Sequence, residues 1–160
     1  RKAAIVKTST QGINALFKAA GVTGLHGHGK LLSGRRVAYT GADGSQRELT
    51  GRHVVLASGS APAELKSVAF SAPHIIDSWG ALDLEAVPKR LGVIGAGVIG
   101  LELGSVWRRL GSEVTVLEAL ADLLPMADQQ LANEAGRHFK KQGLDIRLGA
   151  KVRGAKLASD

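Results

Sequence analysis

Three glycines at the spacing G-x-G-x-x-G, Gly95, Gly97 and Gly100, follow directly on a short apolar run, residues 91–94. A second apolar, β-branched run, residues 114–117, ends on an acid, Glu118. The order is strand, tight turn, helix, strand, carboxylate. Gly95 permits a sharp turn out of the strand, Gly97 offers bare backbone to a pyrophosphate, and Gly100 lets the helix lie close on the strands. The free amides and positive dipole end of that helix favour phosphate charge. A carboxylate at the strand tip can accept from both hydroxyls of an adenosine ribose. It also repels a 2′-phosphate, so Glu118 points to NAD rather than NADP. The plain alternative, glycines serving only a tight strand–helix junction, leaves Glu118 without a role.

The other chemistry-bearing residues form no constellation. The five histidines, His26, His28, His53, His74 and His138, have no metal-ligand spacing and read as surface or packing residues. There is no nucleophile elbow and no paired-carboxylate motif. There is no cysteine, which excludes disulfides, thiolate metal sites and thiol redox chemistry within this chain. Trp79 and Trp107 read as packing residues. The formal net charge is +7, yet the basic residues are scattered, clustering only at Arg35-Arg36, Arg108-Arg109 and Lys140-Lys141. Aromatics total 4% and do not interleave with them, so a solvated surface is expected rather than a nucleic-acid interface. No apolar run is long enough to cross a membrane, and no signal peptide opens the chain. No membrane association and a cytoplasmic location are therefore expected. The first residue is Arg1, which suggests an internal piece of a longer protein.

The elements that must position the turn read as follows. Residues 1–20 are expected as a helix with Ile13, Leu16, Phe17 and Ala20 on one face, ended by Gly21. Residues 22–25 read as a short strand, and Gly27-His28-Gly29 as backbone passing close to something, or a plain bulge. Residues 37–40 and 46–49 flank Asp43-Gly44 as a β-hairpin. Residues 54–57 are expected as a buried strand running into the small residues Ser58, Gly59 and Ser60. Residues 61–88 hold three of the four prolines and read as a connection. After Glu118, a helix over 128–142 is expected, with Asp128 as N-cap, Gly143 as C-cap, and Leu131, Ala135, His138 and Phe139 on one face. A third strand is expected at 144–148 and a fourth at 151–157. Strand, helix, strand, helix, strand predicts a parallel sheet.

Taken together, these segments resemble the flavin-dependent pyridine nucleotide–disulfide oxidoreductases, most closely their dihydrolipoyl dehydrogenase branch. The resemblance is carried by residues 93–107, 110–118, Asp77-Ser78-Trp79-Gly80-Ala81-Leu82 with Val87-Pro88, Ala57-Ser58-Gly59-Ser60-Ala61-Pro62, and Gly27-His28-Gly29-Lys30. Ser58 stands where the family's second flavin motif usually has threonine, and it keeps the hydroxyl. The resemblance implies an α/β fold: a Rossmann-like parallel sheet, the NAD-binding half, over 86–160, preceded over 1–85 by an incomplete FAD-domain segment with a β-hairpin. It implies that Gly95, Ala96, Gly97, Val98, Ile99, Gly100, Leu101 and Glu102 wrap the NAD pyrophosphate, that Glu118 holds the ribose and that Val152 lies at the adenine end. It implies FAD contacts from Gly29, Ser58, Gly59 and Ser60.

The same resemblance shows what this chain does not carry. The family's own flavin-binding G-x-G-x-x-G strand, its Cys-x-x-x-x-Cys redox pair, its later flavin segment and its C-terminal dimerisation domain are not here. For a whole protein of this type it implies electron transfer from dihydrolipoamide through FAD to NAD, a homodimer, and the lipoyl domain of a 2-oxo acid dehydrogenase complex as partner. The isolated chain is expected to be inactive, with exposed edges in its first part. A binding module without redox chemistry is the alternative, and mercuric reductase and NADH oxidase are neighbouring types.

Overall fold

The computed structural model describes residues 1–71 and 73–156. They fall into two compact units, Arg1–Gly59 and Ser60–Asp160.

The first unit opens with α1, Lys2–Ala19. Gly21 holds φ 67°, and the Gly21 and Val22 amides return to the carbonyls of Lys18 and Phe17. That pair of bonds closes the last turn and explains why the helix stops there. The helix buries no residue. Ile13 is 52%, Leu16 69% and Phe17 46% exposed, so its apolar face has no partner in this unit. Three antiparallel strands follow in the order β1 (Gly27–Leu32), β2 (Arg36–Gly41), β3 (Gln46–Thr50). The β2–β3 hairpin is as expected. Its loop is held by Asp43, whose carboxylate accepts from the Ser45 amide at 3.0 Å and from the Ser45 hydroxyl at 2.6 Å.

Two sequence expectations fail here. Residues 22–25 form no strand, and the strand begins instead at Gly27. What Gly27 passes closely is the next strand: a Cβ there would strike the Thr40 carbonyl and lie 2.8 Å from the Tyr39 ring. Residues 54–57 form no strand either. Val55 is 86% and Leu56 70% exposed, because no strand among the described residues pairs with them. An apolar run becomes a buried strand only when neighbours supply its ladder bonds.

The second unit carries the whole core. Residues 61–88, read from the sequence as a connection, cluster with it. Ser67 Oγ donates to the Val152 carbonyl at 3.2 Å, Val68 is buried, and α2 (Ser78–Leu82), capped by Asp77, packs against α3. Then come β4 (Arg90–Ile94), α3 (Val98–Leu110), β5 (Glu113–Leu117), α4 (Gln129–Lys141) and β6 (Asp145–Arg147). The strands form one parallel sheet in the order β4-β5-β6, with Val93 beside Val116 and Val116 beside Ile146. β5 lies in the middle, and Val114 and Val116 are buried. β4 lies at an edge and is half exposed. β6 is shorter than expected, and residues 151–156 form no strand; residue 157 lies outside the described residues.

Helix ends are legible. Gly111 at φ 113° and Gly143 at φ 92° close α3 and α4 with the same bond pair that ends α1, and Asp128 accepts from the Gln130 and Leu131 amides. The buried face of α4 is turned by one position from the expected one. Ala132 and Gly136 are buried and Phe139 packs on the core, whereas Leu131 is 67% exposed and His138 faces Glu134. The reason is Gly136, which is bare because Leu123 Cδ2 lies 2.8 Å from where its Cβ would stand. The two tryptophans separate as well. Trp107 is in the core at 8% exposure, while Trp79 is 63% exposed and is not a packing residue. Trp107→Ala should therefore cost about 3–5 kcal/mol, and Trp79→Ala less than about 0.5 kcal/mol. Urea unfolding of the two variants checks this, and equal losses would place Trp107 outside the core.

Candidate functional site

The glycine turn sits between the C-terminal end of β4 and the first turn of α3. Gly95 is left-handed at φ 105°, which only glycine adopts without strain, and its amide donates to the Leu117 carbonyl at 2.8 Å. Gly100 lies over the strand: a Cβ there would collide with the Gly95 carbonyl and stand 3.2 Å from Val93 Cγ1. Gly97 differs. It has φ −78° and ψ 179°, and its missing side chain faces open space. Two of the three glycines are thus fixed by the protein's own packing. The third leaves room for something else. The Val98, Ile99 and Gly100 amides begin α3 and have no helical carbonyl behind them, while Leu101 N–H reaches the Gly97 carbonyl at 3.0 Å.

Glu118 completes the arrangement. It follows β5 directly, and its backbone is held on both sides, by N–H to the Arg147 carbonyl at 2.9 Å and by its own carbonyl accepting from Ala150 N–H at 2.7 Å. Its side chain turns to the glycine loop. Oε2 accepts from the Ala96 amide at 2.7 Å and Oε1 from the Leu120 amide at 2.9 Å. A carboxylate has about four lone-pair positions. Two remain without a partner among the described residues.

The sequence-named residues divide accordingly. Gly95 to Glu102 and Glu118 come together around one turn. Within that run Ala96 and Leu101 are fully buried, whereas Val98 and Ile99 are exposed at 68% and 60%. Glu102 is exposed on α3. Val152 is half-buried, and its carbonyl accepts from Ser67 Oγ. Gly29 lies in β1 opposite Tyr39, with Val37 Cγ1 3.5 Å from its would-be Cβ. Ser58, Gly59 (φ 74°) and Ser60 are exposed and irregular. No hydrogen bond among the described residues links Gly29 to Ser58 or Gly59.

Leu124 was not legible as a site residue. Its N–H donates to the Ala96 carbonyl at 3.0 Å, from a loop with no glycine to mark a special backbone. The same loop and α4 line a cleft of about 240 Å³, bounded by Leu120, Asp122, Leu124, Pro125, Gln129 and Leu148. In the first unit an open depression of about 630 Å³ lies between residues 24–26 and Tyr39, whose hydroxyl donates to the His26 carbonyl at 2.8 Å and whose ring carries Arg47 at 5.2 Å. Among the described residues no group of His, Asp and Glu could hold a metal, and no helix is long and apolar enough to cross a membrane.

The profile of the family described as pyridine nucleotide-disulphide oxidoreductase matches residues 2–160. The chain belongs to that family. It is 46% identical over 151 residues to dihydrolipoyl dehydrogenase 3 of Pseudomonas putida, covering 94% of this chain and 32% of that protein. It is 41% identical over 155 residues to leghemoglobin reductase of Glycine max, covering 97% of this chain and 30% of the relative. Among solved structures, LpdA from Mycobacterium tuberculosis superposes with TM-score 0.81 at 28% identity, over 94% of this chain and 34% of that one. The HOCl-induced flavoprotein disulfide reductase RclA of Escherichia coli gives TM-score 0.67 at 28% identity, over 83% of this chain and 30% of its own. The chain thus spans about a third of the length of the relatives it matches.

The glycine geometry makes a clean test. Gly100→Ala forces backbone apart and should cost about 2–4 kcal/mol of unfolding free energy. Gly97→Ala enters open space at an ordinary φ and should leave stability within about 1 kcal/mol of the parent chain. Denaturant midpoints decide, and a Gly100→Ala chain as stable as the parent would show that the helix does not rest on the Gly95 carbonyl.

Proposed function

We propose that residues 86–160 bind NAD and that the chain is part of a dihydrolipoyl dehydrogenase-type oxidoreductase. The observation that carries the reading is the 2.7 Å bond from the Ala96 amide to Glu118, which holds a carboxylate at the mouth of the glycine turn. The donor set fits the group. The free amides of Gly97, Val98, Ile99 and Gly100 supply hydrogen bonds and dipole charge to a pyrophosphate, and the unshared lone pairs of Glu118 supply acceptors to a ribose. In this reading Ile99 and Glu102, exposed near the start of α3, lie toward the nicotinamide end and Val152 toward the adenine. A second charge at the ribose would face Glu118, so NAD is favoured over NADP.

Residues 1–85, with Gly29, Ser58, Gly59 and Ser60, belong in this reading to an FAD domain completed elsewhere in a longer protein. The flavin, when bound, accepts electrons from a dithiol and passes hydride to the nicotinamide. This chain's part is to orient and bind. It has no cysteine to take up thiol electrons. Dihydrolipoamide as substrate, a homodimer, the lipoyl domain of a 2-oxo acid dehydrogenase complex as partner and a cytoplasmic location are carried by the similarity to dihydrolipoyl dehydrogenases. A binding module without redox chemistry is the second reading, and the absence of cysteine favours it for this chain by itself.

Two measurements test the proposal. Calorimetric titration should give at least tenfold tighter binding of NAD than NADP, about 1.4 kcal/mol, and Glu118→Arg should move the preference toward NADP. An unchanged ratio would remove Glu118 as the ribose ligand. Mixed with FAD, NAD and dihydrolipoamide, the 160-residue chain should produce no NADH above background; turnover would overturn the assignment of thiol chemistry to another part of the protein.

A further inference from the structure

Among the described residues only Arg35 and Leu124 hold a positive φ without being glycine. Arg35 belongs to the tight connection between β1 and β2. Leu124, at φ 51°, has no such excuse. A bulky side chain disfavours the left-handed region, and the following Pro125 pushes its neighbour toward extended backbone instead. Such a conformation persists only where its surroundings over-determine it.

Three contacts do so. The Leu124 amide donates to the Ala96 carbonyl at 3.0 Å, the Leu124 carbonyl accepts from Ala127 N–H at 2.8 Å, and the side chain packs against the core cluster. The first contact reaches the glycine turn. The Ala96 carbonyl and the Gly97 N–H belong to one planar trans peptide, so they point in opposite directions. Holding the carbonyl toward Leu124 turns the Gly97 N–H away from the loop. Among the described residues that N–H has no hydrogen-bond partner, and the missing Gly97 side chain faces open space. The preceding peptide is fixed as well, because the Ala96 N–H is held by Glu118. Both peptides that flank the Ala96 Cα are therefore clamped, one by the ribose-side carboxylate and one by Leu124.

We propose that Leu124 is a positioning residue for dinucleotide binding, whose left-handed backbone aims the Gly97 amide at the pyrophosphate. It rests on the dinucleotide reading given above. The side chain itself is not what recognises the ligand. Its backbone conformation is what matters, and that separates positioning from packing.

Two substitutions separate the roles because they move in opposite directions. Leu124→Asn tolerates left-handed backbone and keeps the N–H, but gives up the apolar contact. Leu124→Val keeps an apolar side chain, but β-branching cannot hold that φ. The 160-residue chain is titrated by NMR with ADP-ribose, which carries the pyrophosphate, and with adenosine, which does not. Leu124→Val should weaken ADP-ribose about tenfold while adenosine stays within about twofold. Leu124→Asn should bind both as the parent chain does, even with a lower unfolding midpoint. Parallel loss of both ligands in Leu124→Val, no loss, or selective loss in Leu124→Asn instead would overturn the proposal alone. A parent chain that binds neither ligand would overturn the dinucleotide reading and the proposal with it.

Discussion

The bond between the Ala96 amide and the Glu118 carboxylate is the constraint on which the second unit's architecture turns. It joins the end of β4 to the end of β5, which the parallel ladder alone aligns only up to Leu117. An amide left unpaired in that half-buried place would cost about 1–3 kcal/mol, so the carboxylate has a structural duty before any ligand arrives. Chemistry and fold therefore share one side chain. The acid that would grip a sugar also fixes the backbone that would face its diphosphate.

Glycine has three separate duties in this unit, and a common motif hides the difference. Gly95 is needed for its φ. Gly100 and Gly136 are needed because another atom occupies the place of their Cβ, the Gly95 carbonyl in one case and Leu123 in the other. Gly97 is needed for neither reason, and its bare side faces open space. Gly104, in ordinary contact with Val114 and Leu144, lets α3 lie flat on the sheet without demanding glycine. Reading the motif by its letters would treat all of these alike.

The first unit is differently built. Its sheet is held by ladder bonds and by local devices, the Asp43–Ser45 loop, the Arg36–Glu48 pair at 2.9 Å and the Arg47–Tyr39 stack, rather than by a core, since none of its residues is buried. Ser45's hydroxyl and amide hold the Asp43 carboxyl below its ordinary range. The lowered value means that this loop is favoured above about pH 4 and loosens as acid protonates the group. Apolar residues of α1 and of the 54–57 run stay exposed.

Local chemistry was written plainly in the sequence. The glycine spacing, the Asp128 cap, the glycine ends of α1 and α4, and the Asp43-Gly44 hairpin each depend on residues within a turn or two of one another, so their types suffice to read them. What depends on distant partners was not readable. The run at 54–57 has a strand's composition and no ladder. The face of α4 was set by Leu123 seeking the gap at Gly136. The left-handed backbone of Leu124 was imposed by the Ala96 carbonyl of another element. The sequence by itself determined which segments turn, cap and coil, and that a carboxylate follows a dinucleotide-type turn. Only the tertiary structure decided which surfaces meet, because burial and hydrogen-bond pairing are properties of two segments together and neither carries the other's position in its own residues.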